Sequence, residues 1–228
     1  MTSSAGKFPH IEAVVREIVP LATDMKEFTF ERADRMPYAF RAGQHFLVWN
    51  GNKYSAFSLT SLPRETSRFN FAVKRHGELT SYLLDEVAIG DKVTITLPQG
   101  RGFDPEKLVG RELWFIAGGI GLMGLSAQIL EIEAEPERFG QNHKLFYGLK
   151  DRSELLWPDR LESWRKFMTI DITGDGRHLL GDLLHEGIEG HAQVTALICG
   201  PAVFFQPIYR LLVKIGVLPD YILTNIWE

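Results

Sequence analysis

Four closely spaced glycines, Gly118, Gly119, Gly121 and Gly124, are the residues whose spacing most directly suggests ligand chemistry. They follow the apolar run Leu113–Ala117, which is typical of a strand buried on both faces. Apolar residues then recur at helical spacing, so the stretch predicts a strand, a turn and a helix. Glycines let such a turn approach a ligand closely, and the N–H groups that open the helix attract anions. A tight turn that only packs the helix on the strand fits the same pattern, so both interpretations are open.

The single cysteine, Cys199, is the second candidate for chemistry, because it ends the apolar run Val194–Cys199 and precedes Gly200 and Pro201. Ligands of open parallel sheets bind at the carboxyl ends of the strands, which favours a site at this position. Lone cysteines more often behave as small buried apolar residues, and that is the alternative. One cysteine permits no internal disulfide and no iron–sulfur cluster held by several thiolates of this chain. No spacing of His, Cys or Asp indicates a metal site.

Composition and charge exclude several classes of function. The 228 residues carry a net charge of −4, without the basic excess of nucleic-acid-binding proteins. No apolar run is long enough to span a bilayer, and the first ten residues lack the apolar core of a signal peptide. Together with the single cysteine, these features predict a cytoplasmic protein.

The first half of the chain has the pattern of an antiparallel sheet. Runs rich in β-branched and aromatic residues are separated by glycine and proline, which favours a barrel or a sandwich. A short helix is expected at about Ser81–Glu86, with Thr80 as its N-cap. The predicted strands are Ile11–Val19, Lys26–Arg32, His45–Trp49, Tyr54–Thr60, Phe69–Lys74 and Lys92–Leu97.

The second half alternates apolar strands with helical patterns, which predicts a parallel, doubly wound α/β sheet. The change of pattern falls near Pro105–Gly110, so the chain is interpreted as two domains, 1–108 and 109–228. The predicted strands are Leu113–Ala117, Lys144–Gly148, Phe167–Ile172, Val194–Cys199 and Tyr221–Ile226, and the predicted helices are Leu122–Ile132, Ser153–Trp157, Leu179–His185 and Phe204–Ile215.

Two further motifs lie in the first half, at Ala56–Ser61 (A-F-S-L-T-S) and Val73–Thr80 (V-K-R-H-G-E-L-T). With the glycine loop and Cys199-Gly200-Pro201, they follow one another in a fixed order on a β domain and then an α/β domain. This arrangement resembles the ferredoxin–NADP reductase superfamily from about residue 11 to residue 227. The details are most similar to the flavin subunits of cytoplasmic hydrogenases, anaerobic sulfite reductases and dihydroorotate dehydrogenase.

The resemblance implies that the β-barrel domain binds FAD. Phe57 would flank the flavin ring, and Ser58 would hydrogen-bond near its reactive nitrogen and so contribute to catalysis. Ser55 stands where many members have an arginine that contacts the flavin phosphates, so Lys74 or Arg75 is the expected cation. The alternative is an ordinary strand with turn-forming serines and a plain N-cap at Thr80. The expected FAD-binding residues are Phe57, Ser58, Leu59, Thr60, Val73, Lys74, Arg75, Gly77, Leu79 and Thr80.

The resemblance also implies that the α/β domain binds NAD(P)H, with Cys199 beside the nicotinamide carbon that donates hydride. Gly124 replaces a proline that is usual in this branch, and glycine costs about 1 kcal/mol of helix propensity relative to alanine. Lys150 and Arg152 follow the second strand of the sheet, where they would favour NADPH; the alternative is that these exposed cations are only solvated. The expected dinucleotide-binding residues are Gly118, Gly119, Gly121, Lys150, Arg152, Gly200 and Pro201.

The implied activity is that of an NAD(P)H-dependent flavoprotein oxidoreductase. Hydride would pass between NAD(P)H and FAD, and electrons would pass between FAD and a partner protein or subunit carrying an iron–sulfur centre or another acceptor. A stand-alone flavin or quinone reductase, and a flavin-fold module with a degraded dinucleotide site, are the alternatives. Trp227, the penultimate residue, is a third catalytic candidate, expected to cover the flavin ring until nicotinamide displaces it; a terminus packed elsewhere is equally open.

Overall fold

The computed structural model describes residues 9–22, 24–174 and 191–225. The chain divides into two compact units, Met1–Gly102 and Phe103–Glu228. The first contains an antiparallel sheet and the second a parallel sheet, so the fold class predicted from the sequence is confirmed. Residues 103–108 belong to the second unit, although the sequence analysis placed them in the first domain. The division into an FAD-binding and a dinucleotide-binding domain stays a prediction.

The first unit is a six-stranded antiparallel sheet in the order β4-β3-β6-β1-β2-β5. Its edge strands approach each other, because the ring of Phe57 on β4 lies 5.0 Å from that of Phe71 on β5. Beyond β4, the Thr60 amide donates to the Asn70 carbonyl at 2.8 Å. The sheet therefore curls into a barrel. Its strands are β1 (His10–Ala22), β2 (Met25–Arg32), β3 (His45–Asn50), β4 (Lys53–Ser58), β5 (Arg68–Lys74) and β6 (Lys92–Thr96).

Helix α1 (Glu78–Asp85) begins three residues earlier than the sequence predicted, and Gly77 is its N-cap. Leu79 and Leu83, four residues apart, are both buried in the same apolar core as Phe57. Residues at that spacing share one face of a helix, so burial of Leu79 requires the helix to begin before it. The prediction that Thr80 is the N-cap was therefore wrong, and Thr80 lies in the first turn.

The second unit is a five-stranded parallel sheet in the order β11-β10-β7-β8-β9. The chain adds strands on one side of β7 and then, from β10, on the other side. Ligands of doubly wound sheets bind at such a switch point, outside the carboxyl ends of the strands. The elements are β7 (Glu112–Gly118), α2 (Gly121–Ala134), β8 (His143–Gly148), α3 (Pro158–Trp164), β9 (Met168–Thr173), β10 (Val194–Cys199), α4 (Ala202–Lys214) and β11 (Ile222–Thr224).

The helix predicted at Ser153–Trp157 was wrong. That segment contains only a short 3₁₀ turn at Arg152–Glu154, and α3 begins afterwards at Pro158. Trp157 has a φ of 47°, in the left-handed region, so a helix cannot continue through it. Proline is favoured in the first turn of a helix, where its missing N–H is not needed. The helix predicted at Leu179–His185 lies outside the described residues.

Candidate functional site

Ser58, the last residue of β4, carries a buried hydroxyl that the protein leaves unsatisfied. The residue is 6% exposed, and its Oγ has no hydrogen-bond partner within the described part of the chain. A buried polar atom without a partner costs about 1–3 kcal/mol, and such atoms in native structures call for an explanation. A ligand that exchanges one hydrogen bond with Ser58 would remove this cost, which fits the role expected for this residue beside a flavin.

Phe57, immediately before Ser58, points to the other face of the strand, because successive side chains of a strand alternate. The residue is 7% exposed, and its ring stacks on Phe71 in the barrel interior. Leu59 and Val73, two other predicted flavin contacts, are buried in the same core. The structure therefore gives these three side chains a packing role and does not favour contact between the Phe57 ring and a flavin.

Thr60 is a buried polar residue that the protein itself satisfies. Its hydroxyl donates to the carboxylate of Glu27 on β2 at 2.7 Å. Its amide donates to the carbonyl of Asn70 on β5 at 2.8 Å. Thr60 therefore links the segment after β4 to β2 and β5 by hydrogen bonds, and these bonds fix the position of Ser58. No sequence motif marks Glu27, because the contact joins segments far apart in the chain.

An open cleft of about 480 Å³ lies where the hairpin between β3 and β4 meets the start of α1. Gly77 there has a φ of 141°, and a Cβ at this position would meet no atom within 4 Å. The glycine is needed for backbone conformation, since other residues rarely adopt positive φ. Thr80 stabilises the turn, accepting from the His76 amide at 2.7 Å and donating to the Gly77 carbonyl at 2.9 Å. The lining residues are Asn52, Lys53, Tyr54, Ser55, His76, Gly77, Glu78, Leu79 and Thr80.

The two cations predicted for a flavin phosphate do not line this cleft. Both terminal nitrogens of Arg75 lie 2.7 Å from the carboxylate oxygens of Asp85. This hydrogen-bonded pair raises the pKa of Arg75 and lowers that of Asp85. Lys74 is half-buried and has an interaction of its own. Lys53, which the sequence analysis did not consider, lines the cleft and forms an ion pair with Glu78.

The turn between β7 and α2 in the second unit has two glycines with different surroundings. Gly119 has a φ of 54°, and a Cβ there would meet no atom within 4 Å. Its amide donates to the Gly148 carbonyl at 2.8 Å, which ties the turn to the end of β8. Helix α2 begins at Gly121 without a side-chain cap. The amides of Leu122 and Met123 already donate to the carbonyls of Gly119 and Ile120, at 3.5 Å and 3.0 Å, so an anionic ligand here would be favoured mainly by the positive end of the helix dipole.

Gly121 is required by packing rather than by an open approach. A Cβ at this position would lie 2.0 Å from the carbonyl oxygen of Cys199 and 2.9 Å from the amide nitrogen of Gly200. A Cβ on Gly200 would in turn lie 2.9 Å from the ring of Phe204 and 3.2 Å from Gly118 Cα. These glycines let the ends of β7 and β10 and the start of α2 pack backbone against backbone. For Gly121 this favours the packing interpretation of the loop, and its contact with a dinucleotide stays a prediction.

Cys199 ends β10 with its thiol buried, and the residue is 1% exposed. Its Sγ donates to the carbonyl of Asn225 at 3.3 Å. The backbone amide of Asn225, a residue that no sequence motif marks, donates to the Ile198 carbonyl at 3.0 Å. The side chain thus behaves as a buried structural residue, whereas Pro201, two residues later, is exposed. Trp227 lies outside the described residues.

Lys150 and Arg152 are both exposed just after β8, at the carboxyl end of the parallel sheet. Asp151 between them accepts a hydrogen bond from the Ser153 amide at 2.8 Å. This bond lowers the pKa of Asp151 and commits its carboxylate to capping the turn at Arg152–Glu154. Lys150 and Arg152 therefore flank the position where the resemblance places the adenosine ribose. The carboxylate between them is already hydrogen-bonded.

Comparison with known proteins agrees with this arrangement, although no family model matches the sequence. The chain is 28% identical over 202 residues to "Probable dihydroorotate dehydrogenase B (NAD(+)), electron transfer subunit" of Methanothermobacter thermautotrophicus, covering 87% of this chain and 71% of that protein. It is 30% identical over 173 residues to the Thermoplasma volcanium protein of the same description, covering 75% and 61%. The solved ferredoxin reductase of carbazole 1,9a-dioxygenase matches 97% of this chain and 70% of that one, with a TM-score of 0.82 and 20% identity.

The chain thus resembles these electron transfer subunits in sequence, and its fold is that of the ferredoxin–NADP reductase superfamily. It spans between 40% and 62% of the length of several other curated relatives, so activity and partners are argued separately below. The described residues fit the cofactors of this superfamily at Ser58, at the cleft beside α1 and at the start of α2. In the described ranges, no group of three or more His, Cys, Asp or Glu side chains is placed to hold a metal ion. Nor does any described helix combine the length and apolar character needed to cross a bilayer.

Proposed function

We propose that this protein is a flavoprotein oxidoreductase that passes hydride between NAD(P)H and FAD and electrons between FAD and a redox partner. The first unit would bind FAD and the second NAD(P)H. The bound flavin supplies the conversion between two-electron and one-electron chemistry, while the protein binds and orients the reactants. The proposal covers either direction of transfer.

The buried hydroxyl of Ser58 is the observation that carries this proposal. Its Oγ has no partner within the described residues, and the Thr60–Glu27 hydrogen bond holds the segment that follows it. A ligand within reach of Ser58 would form a hydrogen bond with its hydroxyl. The hydroxyl is already buried away from water, so binding adds no cost for desolvating it. Ser58 would thus orient the flavin at its reactive edge, as the resemblance implies for this position.

The second unit would bind the dinucleotide at its switch point. β7 and β10 are adjacent strands of the sheet, and at their carboxyl ends Ala117 pairs with Cys199. The start of α2, which no side chain caps, would take the pyrophosphate. Lys150 and Arg152 would contribute positive charge for a 2′-phosphate, which is the basis of the proposed preference for NADPH.

A partner redox protein or subunit is the proposed electron acceptor. Both relatives compared above are described as electron transfer subunits, which supports a chain that serves another protein. An iron–sulfur centre in that partner would accept the single electrons that reduced flavin releases. The proposed location is the cytoplasm, because one cysteine in 228 residues fits a reducing compartment.

Anaerobic spectroscopy of the reconstituted protein tests this proposal. The expected result is near-stoichiometric FAD, released on heating, whose absorbance bleaches when NADPH or NADH is added without air. Ser58→Ala should retain bound FAD and be reduced about fivefold to a hundredfold more slowly, since the lost hydrogen bond is of the order of 1–3 kcal/mol. A protein that takes up no flavin, or whose bound flavin is reduced by neither cofactor, contradicts the proposal.

A further inference from the structure

The cleft beside α1 contains a lysine whose position lets it reach an anion bound at the helix start. Lys53 opens β4 and lies two residues before Ser55. Alternate residues of a strand share one face, and each pair of residues advances the strand by about 6.6 Å. Lys53 and Ser55 therefore face the same cleft, which both of them line. The side chain of Lys53 is long enough to reach an anion at the start of α1, whereas that of Ser55 is short.

The charges around the cleft single out Lys53 as its cation. Of the nine described residues that line the cleft, Lys53 is the one with a permanent positive charge and Glu78 the one with a carboxylate. Glu78 is the first residue of α1 and forms an ion pair with Lys53. A carboxylate at a helix start is stabilised by the unpaired N–H groups there. The Glu78 carboxylate thus lies at the helix start and pairs with Lys53, the two features that would bind an anionic ligand.

Arg75 does not compete for this place. It is paired with Asp85, the last residue of α1. A helix advances about 1.5 Å per residue, so Asp85 lies roughly 10 Å along the axis from Glu78. The Arg75 guanidinium is therefore held at the end of α1 opposite to the cleft.

We infer that Lys53 is the cation that binds the flavin phosphates in this chain, and that Glu78 is the internal anion they displace. This inference rests on the proposed function, because it concerns the phosphate end of the same FAD. When the phosphates bind, Lys53 exchanges its carboxylate partner for a phosphate oxygen, and Glu78 turns to solvent. Both side chains are exposed, 60% for Lys53 and 78% for Glu78, so the exchange requires no rearrangement of the core.

Binding of FAD and of riboflavin to the full-length apoprotein, measured by flavin fluorescence, tests the inference. Riboflavin has the same ring and no phosphate. Lys53→Gln should raise the Kd for FAD about tenfold or more, the scale of one lost charged hydrogen bond, and leave the Kd for riboflavin within about twofold. Glu78→Gln should lower the Kd for FAD severalfold, because the competing carboxylate is removed. Added KCl should weaken FAD binding more in the wild type than in Lys53→Gln.

Lys92→Gln is the matched control. Lys92 is an exposed lysine of the same unit, 59% exposed, and it forms an ion pair with Glu12 at 2.9 Å. The variant makes the same change in net charge away from the cleft, so its Kd for FAD should stay within about twofold of the wild-type value. Circular dichroism and thermal melting of each variant confirm that the barrel is folded.

The outcomes separate this inference from the proposed function. A wild-type protein that binds neither FAD nor riboflavin contradicts both. If the wild type binds FAD, three results overturn the assignment of Lys53 and leave the proposed function standing. They are an unchanged FAD affinity in Lys53→Gln, an equal loss of affinity for riboflavin and FAD in that variant, and a larger loss of FAD affinity in Arg75→Gln. A loss confined to FAD in Lys53→Gln, together with the gain in Glu78→Gln, supports it.

Discussion

The turn before α1 and the turn before α2 both depend on glycine, but for different physical reasons. At Gly77 the backbone φ of 141° is one that other residues rarely adopt, while the space around its missing Cβ is open. At Gly121 the conformation is ordinary, but a Cβ would lie 2.0 Å from a backbone oxygen of β10. A glycine in a candidate phosphate loop can therefore provide a conformation or a close packing of the backbone. The space around its missing Cβ distinguishes the two.

Replacing Gly121 should have the largest effect. In Gly121→Ala the new methyl group meets the Cys199 carbonyl, and neither backbone can move without disturbing the sheet. We expect the second unit to lose more than about 3 kcal/mol of stability, or to fail to fold. Gly119→Ala, whose methyl group meets no atom within 4 Å, should cost only about 1–2 kcal/mol for its positive φ. Urea unfolding followed by tryptophan fluorescence measures both.

The contrast breaks if Gly121→Ala is as stable as the wild type but no longer binds NAD(P)H. Gly121 would then face the ligand, as the resemblance implied, and its packing against β10 would be tolerant. Dithionite reduction of the bound flavin is the control, because it does not require the dinucleotide.

Replacing Gly77 should have an intermediate effect in the first unit. Gly77→Ala introduces backbone strain of about 1–3 kcal/mol without a steric clash. We therefore expect a lower melting temperature of the barrel and weaker FAD binding, because the start of α1 shifts. Gly90→Ala is the control, since Gly90, in the turn before β6, also has a positive φ of 98° and open space around it but does not line the cleft. Equal FAD affinity in Gly77→Ala and Gly90→Ala would remove the Gly77 turn from the binding site.

Removing the two cations after β8 tests whether ligand selectivity in the second unit lies outside its glycine turn. The double variant Lys150→Ala with Arg152→Ala should lower kcat/KM for NADPH about tenfold, equivalent to about 1.4 kcal/mol, and leave NADH within about twofold. Lys166→Ala, an exposed lysine just before β9, is the control for charge. An NADH preference that the double variant leaves unchanged rules out this role.

A pH effect on the second unit is the smallest expected difference. Burial lowers the pKa of His143, and its neutral Nδ1 accepts the Leu113 amide at 3.0 Å. Because the folded pKa lies below the unfolded value of about 6.5, this stabilisation is complete above that pH and is lost as pH falls through it. Urea midpoints of the second unit should therefore drop between pH 7.5 and pH 5.5, and less so in His143→Gln. Equal drops in both proteins would assign the effect to other groups.

The strands could be predicted closely because their pattern is local. The predicted bounds of β10 are those observed, and β3 and β5 differ by one residue at one end. Alternation of apolar residues and breaks at glycine and proline depend on neighbouring positions only. The helix starts were less accurate, since α1 is placed by the burial of Leu79 and α3 by the left-handed conformation of Trp157.

The candidate site was predictable as a set of segments, but not residue by residue. The motifs around Ser58, Gly77 and Gly119 lie where the structure offers an unsatisfied hydroxyl, an open cleft and an open turn. Phe57 and Cys199 were assigned to the ligand, whereas the structure buries both in packing contacts. A motif does not reveal this, because it does not state which face of a strand is covered.

The order of the elements, the two sheet types and the segments that approach a ligand all follow from the sequence, because local periodicity determines which faces are apolar. Only the tertiary structure decides which individual side chains remain available. Arg75, just before α1, forms an ion pair with Asp85 at the end of α1, whereas the hairpin between β3 and β4 places Lys53 at the cleft. Gly121 is in contact with β10, a strand distant in sequence. Such contacts depend on how separate elements pack in three dimensions, which no local pattern of residues specifies.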